Sequence, residues 1–131
     1  MPGKVLKNDL LYPELSYQII GILFEVFNEL GYRYKEVSYQ KAISLSLKNL
    51  GINFQEQVRV PLIFKGVEIG DYIPDFLIDR KVVLEIKRGD YFSQADIKQL
   101  LSYLKIMKLK LGILARFSPK GLKFKRIVNI K

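Results

Sequence analysis

Residues 72–90 read YIPDFLIDRKVVLEIKRGD, two short apolar runs joined by a turn and interrupted by charge. Asp75 and Glu85 each break a run whose other members suit a strand, and Lys87 follows two places after Glu85. Charges inside a sheet are costly unless they are paired, solvated or bound to a cation. Asp75 and Glu85 are equidistant from Arg80, the centre of the turn Asp79-Arg80-Lys81. If that turn closes symmetrically, the two carboxylates face each other across an antiparallel pair, about 5 Å apart. Alternation adds Lys87 to their face and sends Phe76, Ile78, Val82, Leu84 and Ile86 to the other. A two-residue turn or a bulge would break this match, so the register is a checkable expectation.

Two carboxylates held this close raise each other's pKa unless a cation sits between them. A hard divalent ion removes that penalty and takes both as ligands, with the Ile86 backbone carbonyl as a third oxygen. Lys87 would then stand beside the ion, placed to orient a phosphate or an attacking water. The simpler alternative is a plain ion pair between Lys87 and Asp75 across the strands. Composition narrows the chemistry further. With neither cysteine nor histidine, thiolate nucleophiles, imidazole bases and zinc or iron–sulfur centres built on those ligands are excluded. A metal must be bound through oxygen, which favours Mg²⁺, Mn²⁺ or Ca²⁺.

The surrounding pattern supplies a frame for the hairpin. Pro13 suits the first turn of a helix whose apolar stripe is Leu15, Ile19, Leu23, Val26 and Leu30, with Gly31 as its stop. A second helix is predicted from about Lys35 to Leu50, with Tyr39, Ile43, Leu47 and Leu50 buried. Glu36 lies on that stripe, where a charge is unexpected; its plain reading is an acid complementing the helix N-terminus. From Asn53 the period becomes two, predicting a strand in NFQEQVRVPLIF, a turn at Lys65-Gly66, and a second strand over about Val67 to Ile78. A third strand is VVLEIKR. Ser93 and Asp96 stand at capping-box spacing before a helix in SQADIKQLLSYLKIMK. Two last strands are expected near Leu111 to Phe117 and Leu122 to Val128, around the turn Ser118-Pro119-Lys120-Gly121. The order is α-α-β-β-β-α-β-β, an α/β or α+β fold on a mixed sheet, with residues 1–131 expected to form one domain.

The chain of 131 residues carries a net charge of +9, which favours polyanions, either nucleic acid or an acidic membrane surface; the plain alternative is that the lysines keep the surface soluble. Much of the positive charge lies late, from Lys105 to Lys131. The longest apolar stretch, IIGILFEVF, is too short to span a membrane and contains Glu25, and the N-terminal MPGKVLKNDLLYPE lacks the apolar core of a signal peptide. A cytoplasmic protein without a membrane partner is expected.

Asp75…Glu85-Ile86-Lys87 resembles the PD-(D/E)XK nuclease signature, and Pro74 supplies its leading proline. More narrowly, nearly the whole chain resembles the small prokaryotic GxxExxY family, through LSYQIIGILFEVFNELG, EVSYQKAISLSLKNLGINFQEQVRVPLIFKGVEIGDY, VVLEIK, QLLSYLK and LGILARF…LKFKRIV. The resemblance implies a restriction-endonuclease-like core, a sheet flanked by helices. It implies that Asp75 and Glu85 bind Mg²⁺ or Mn²⁺, that Lys87 assists catalysis, and that Glu36 helps hold the metal or orient a ligand. Tyr39 matches the motif's tyrosine, and Gln99 with Tyr103 resembles the QxxxY of RecB-like members, near the nucleic-acid path; as plain residues, both tyrosines read as core aromatics with a polar tip. Arg33 replaces the motif's leading glycine, Phe27 stands where relatives often carry His, and Ile73 where they often carry Arg.

The function implied is metal-dependent hydrolysis of DNA or RNA phosphodiesters. The alternatives are a nucleic-acid-binding or scaffolding module that keeps the fold without turnover, and a homo-oligomer joined through the first helix. On so small a chain, a homodimer or partner protein would complete a cleft.

Overall fold

A computed structural model describes residues 11–130; the expectation for the extreme N-terminus and the charge on Lys131 lie outside them. The elements are α1 (Pro13–Leu30), α2 (Glu36–Asn49), β1 (Phe54–Glu56), β2 (Val60–Phe64), β3 (Val67–Tyr72), β4 (Phe76–Ile78), β5 (Val82–Arg88), α3 (Gln94–Met107), β6 (Leu111–Ser118) and β7 (Gly121–Val128). This is the α+β class, with the mixed central sheet and flanking helices that the pattern implies. No helix among the described residues is long and apolar enough to cross a membrane.

The helix signals act as their chemistry requires. Pro13 opens α1 and Gly31 closes it at φ +67°, where a side chain would be strained. Ser93 caps α3, its hydroxyl accepting from the Asp96 N–H at 2.9 Å. Tyr39, Ile43 and Leu47 are buried on α2, but Leu50 is 55% exposed, because the helix ends at Asn49 and the chain turns away.

The main sheet runs β1-β4-β5-β6-β7, antiparallel except for the β5–β6 pair, which α3 connects. Its two faces are covered by different helices. Phe76, Ile78, Val82, Leu84, Ile86, Ile113 and Phe117 pack under α1 and α2 in one apolar cluster. Leu77, Val83, Leu114 and Ile127 pack under Leu100 and Leu104 of α3 in a second. The alternation expected of the hairpin is therefore observed, and α3 takes the face of the charged residues. Gly112 lets α3 approach, since a Cβ there would stand 3.0 Å from Leu100.

The first two expected strands are each broken. Gln57 adopts φ +53°, and its N–H donates to the Asp75 carbonyl at 3.2 Å, which ends β1 and turns the chain off the sheet. Pro74 lacks an N–H and biases Ile73 toward extended backbone, so β3 stops at Tyr72 and the chain rejoins the sheet at Phe76. The excised halves, β2 and β3, pair only with each other through the Lys65-Gly66 turn. A separate two-stranded hairpin thus stands outside the main sheet.

Candidate metal and phosphodiester site

The turn Asp79-Arg80-Lys81 closes with Phe76 opposite Leu84, Leu77 opposite Val83 and Ile78 opposite Val82. One further step places Asp75 opposite Glu85, the register expected from the symmetric turn. β4 has ended by then while β5 continues to Arg88. The β5 backbone past Leu84 therefore lacks a strand partner on the β4 side, and side chains take over its hydrogen bonding. The Ile86 N–H donates to Asp75 Oδ2 at 2.7 Å, and the Asp75 N–H donates to Glu85 Oε1 at 2.7 Å. The other oxygens are also engaged: Gln40 Nε2 donates to Asp75 Oδ1 and Tyr72 Oη to Glu85 Oε2, both at 2.8 Å.

Each carboxylate oxygen has two lone pairs, so one donor apiece leaves capacity for a cation. Burial raises the Asp75 pKa first; the Ile86 N–H, Lys87 and Gln57 pull it down, and the Glu36 charge adds to the rise. Burial and then the Asp75 charge push Glu85 up to about 7. Two adjacent acids with raised pKa values, all-oxygen donors and no competing soft ligand fit a hard divalent ion. No cluster of three or more His, Cys, Asp or Glu side chains able to hold a metal is formed among the described residues. Asp75, Glu85 and the Ile86 carbonyl are the set available, with water to complete it.

Lys87 does not pair with Asp75. Its ammonium lies 3.9 Å from Asp96 Oδ1 in the first turn of α3, and it still lowers the pKa of both acids. The same Asp96 carboxylate accepts from Arg116 Nη2 at 2.6 Å, while Arg116 Nη1 donates to the Arg88 carbonyl at 2.8 Å. Arg116 is only 7% exposed. Lys87, Arg116 and Lys123 are register partners across β5, β6 and β7, a row of cations beyond the carboxylates.

The remaining candidates divide. Glu36 begins α2 and raises the Asp75 pKa through its charge, but among the described residues it does not join Asp75 and Glu85 in a metal-holding cluster. Tyr39 is fully buried and stands apart: its hydroxyl donates to the Gly31 carbonyl at 2.5 Å and accepts from the Arg33 N–H at 3.2 Å, tying the α1–α2 loop. Tyr103 is buried against Tyr72, ring centroids 4.0 Å apart, with its hydroxyl 3.4 Å from the Val58 and Tyr72 carbonyls. Exposed Gln99 shares a small cavity with Tyr72 and Tyr103. Sequence reasoning passed over Gln40, Gln57, Tyr72 and Arg116. Only Gln40 had a signal, one helical turn after Glu36 on the same face.

A family model for the PD-(D/E)XK nuclease superfamily matches residues 13–127. No curated protein matches the sequence. The crystal structure of SSO0001 aligns over 88% of this chain and 77% of its own, with 18% identity and a TM-score of 0.47.

Proposed function

The chain belongs to the PD-(D/E)XK nuclease superfamily, and from that premise we propose that it is a Mg²⁺- or Mn²⁺-dependent nuclease of the GxxExxY family, a single domain working in the cytoplasm. Its substrate is a nucleic-acid phosphodiester. The observation that most supports this reading is the crossed pair, in which Asp75 and Glu85 are each held by the other strand's backbone at 2.7 Å. A carboxylate pair kept in place at a cost in desolvation needs a compensating cation, and a polyanionic substrate brings more charge to be balanced.

Asp75, Glu85 and the Ile86 carbonyl would hold the ion, with Gln40 fixing Asp75 from α2, Tyr72 fixing Glu85, and Glu36 adding a negative charge that favours a cation there. When bound, the ion supplies Lewis acidity and a water more easily deprotonated, which removes the need for a histidine base. Lys87 stabilises charge developing on the phosphoryl oxygens, with Asp96 holding its ammonium. Exposed Lys123 extends the positive surface along which the phosphate backbone lies, while the buried Arg116 anchors Asp96 beneath it, and binding is correspondingly salt-sensitive. A second copy of the chain completes the cleft.

Calorimetric titration with Mn²⁺ tests the first step without a substrate: the wild type binds, and Asp75→Ala loses at least tenfold in affinity. Cleavage of mixed single- and double-stranded DNA and RNA then depends on added Mg²⁺ or Mn²⁺ and disappears in Asp75→Ala and Lys87→Ala proteins that remain folded. Absence of both metal binding and cleavage overturns the reading. Salt-sensitive nucleic-acid binding that ignores metal and both substitutions would instead identify a non-catalytic module.

A further inference from the structure

The detached hairpin does not lie idle against solvent. Between it and α3 is a cavity of about 170 Å³ lined by Val60, Leu62, Tyr72, Gln99, Tyr103 and Ile106, with Asp71 and Ser102 at its wall. The roomier hollows, such as one of about 410 Å³ beside Tyr12, Gln18 and Asp79, contain none of the candidate site residues. The smaller cavity is joined to the carboxylates directly. Tyr72 lines it and donates its hydroxyl to Glu85 Oε2 at 2.8 Å, so a group lodged there lies one side chain from the acids.

The walls specify the kind of group. Their apolar and aromatic surface suits a flat ring, while the Gln99 amide and Ser102 hydroxyl each offer a donor and an acceptor to ring-edge atoms. The charged wall residue, Asp71, is neutralised by Arg59 at 2.8 Å. The volume is below the ~300 Å³ of an ordinary small-molecule pocket and suits a single planar heterocycle. The hairpin continues beyond the cavity with Ile63, Phe64, Val67 and Ile69, each more than half exposed. Exposed apolar residues of this kind are what wedges and stacking platforms for bases are made of, and the net charge of +9 favours a polyanion beside them.

We infer that the recess between the β2–β3 hairpin and α3 receives one unpaired nucleobase of the substrate, making the protein selective for single-stranded or locally unpaired nucleic acid over intact duplex. In a duplex the base faces are stacked and their edges paired, so the recess has nothing to accept; an unpaired base enters at the loss of little more than its own stacking. The inference rests on the nuclease reading for its substrate class, but it concerns binding and is tested without cleavage.

Oligonucleotides carrying one 2-aminopurine are titrated as single strand and as matched duplex, once with Ca²⁺ and once with EDTA, against wild type, Ser102→Trp and Ile106→Glu. Ser102 and Ile106 are exposed, so tryptophan fills the recess and glutamate charges its mouth without touching the core. The wild type binds the single strand at least tenfold more tightly than the duplex, with a change in 2-aminopurine fluorescence. Both variants lose at least tenfold for the single strand and keep the wild-type Mn²⁺ titration. Equal affinity for strand and duplex, wild-type binding by folded variants, no binding of either oligonucleotide, or self-association abolished by Ser102→Trp without an effect on oligonucleotides overturns the inference. Failure of both Mn²⁺ binding and cleavage, with strand selectivity and its loss in the variants intact, removes the nuclease reading and leaves the recess standing.

Discussion

Asp75 and Glu85 are bound to each other through backbone rather than through their charges: the Asp75 N–H donates to the Glu85 carboxylate, and the Asp75 carboxylate accepts from the N–H of Ile86, next to Glu85. Each acid positions the segment carrying the other, yet the two charges repel. Asp75→Asn keeps an acceptor for Ile86 and removes the second-largest cause of the Glu85 shift. Glu85 should then titrate below the wild-type value of about 7, as followed by carboxyl-carbon NMR. An unchanged midpoint would assign the whole rise to burial.

The same shift makes stability depend on pH. A carboxylate whose folded pKa lies above its unfolded value contributes stability while protonated. For Glu85 that contribution is complete below about pH 4.5 and is lost as pH rises through about 7. Asp75 acts in the same direction. The Glu85 part of the loss is on the order of 3 kcal/mol, by the equivalence of one pKa unit to 1.36 kcal/mol. Urea unfolding from pH 4.5 to 8 should show the wild-type midpoint falling relative to that of Glu85→Gln, and saturating Mn²⁺ should restore it at the alkaline end. Parallel profiles would contradict the shift.

Asp96 joins two cations, Lys87 at 3.9 Å and the buried Arg116 at 2.6 Å. Asp96→Ala leaves the Arg116 guanidinium without its counter-charge and should cost ~3–5 kcal/mol. Arg116→Met removes the buried charge itself and should cost clearly less. Thermal unfolding of the two variants decides the order; the reverse order would mean that Arg116 owes its place to the Arg88 carbonyl instead.

Gly112→Ala tests the approach of α3 to the sheet. The added Cβ meets three Leu100 side-chain atoms at 3.0 to 3.1 Å, and either the leucine or the helix must shift. Overpacking of this kind costs ~1–3 kcal/mol, seen as a lower urea midpoint with unchanged slope. The double variant Gly112→Ala/Leu100→Ala should recover part of that loss relative to additive expectation.

What could be read beforehand follows from the range of the interactions. The hairpin register, the Ser93 cap and the β6–β7 turn depend on residues within a few positions of one another, and local spacing exposes them. The strand breaks do not, because Gln57 takes its left-handed conformation to donate to Asp75, 18 residues on. Strand alternation continues through that break and hides it. Asp96 was legible as a capping residue, which concealed its side chain's bond to Arg116, 20 residues later. Gln40 reaches Asp75 across 35 residues, and no spacing rule covers that distance. The acids were visible as misplaced charge; of the neutral residues that hold them, Gln40 alone shared a helix face with a residue already singled out, and Tyr72 had no such signal.

Tyr72 connects these levels, since it ends the hairpin, lines the recess and donates to Glu85. Its hydroxyl favours the charged carboxylate and so opposes the rise in the Glu85 pKa. In return, burial and the Glu85 charge raise the pKa of Tyr72, which keeps the phenol protonated as a donor. Tyr72→Phe preserves the ring and its 4.0 Å contact with Tyr103 but withdraws the donor. The Glu85 pKa should therefore rise further. Because metal binding requires the carboxylate, the pH at which Mn²⁺ affinity reaches half its plateau should move upward from the wild-type value. Calorimetry at several pH values between 6 and 9 measures that displacement. A charge-assisted hydrogen bond is worth ~1.5–3 kcal/mol, so stability above the Glu85 transition should fall by that order, while below it the loss should be smaller. A pH-independent effect of Tyr72→Phe would show that the hydroxyl serves packing alone and does not tune the acid.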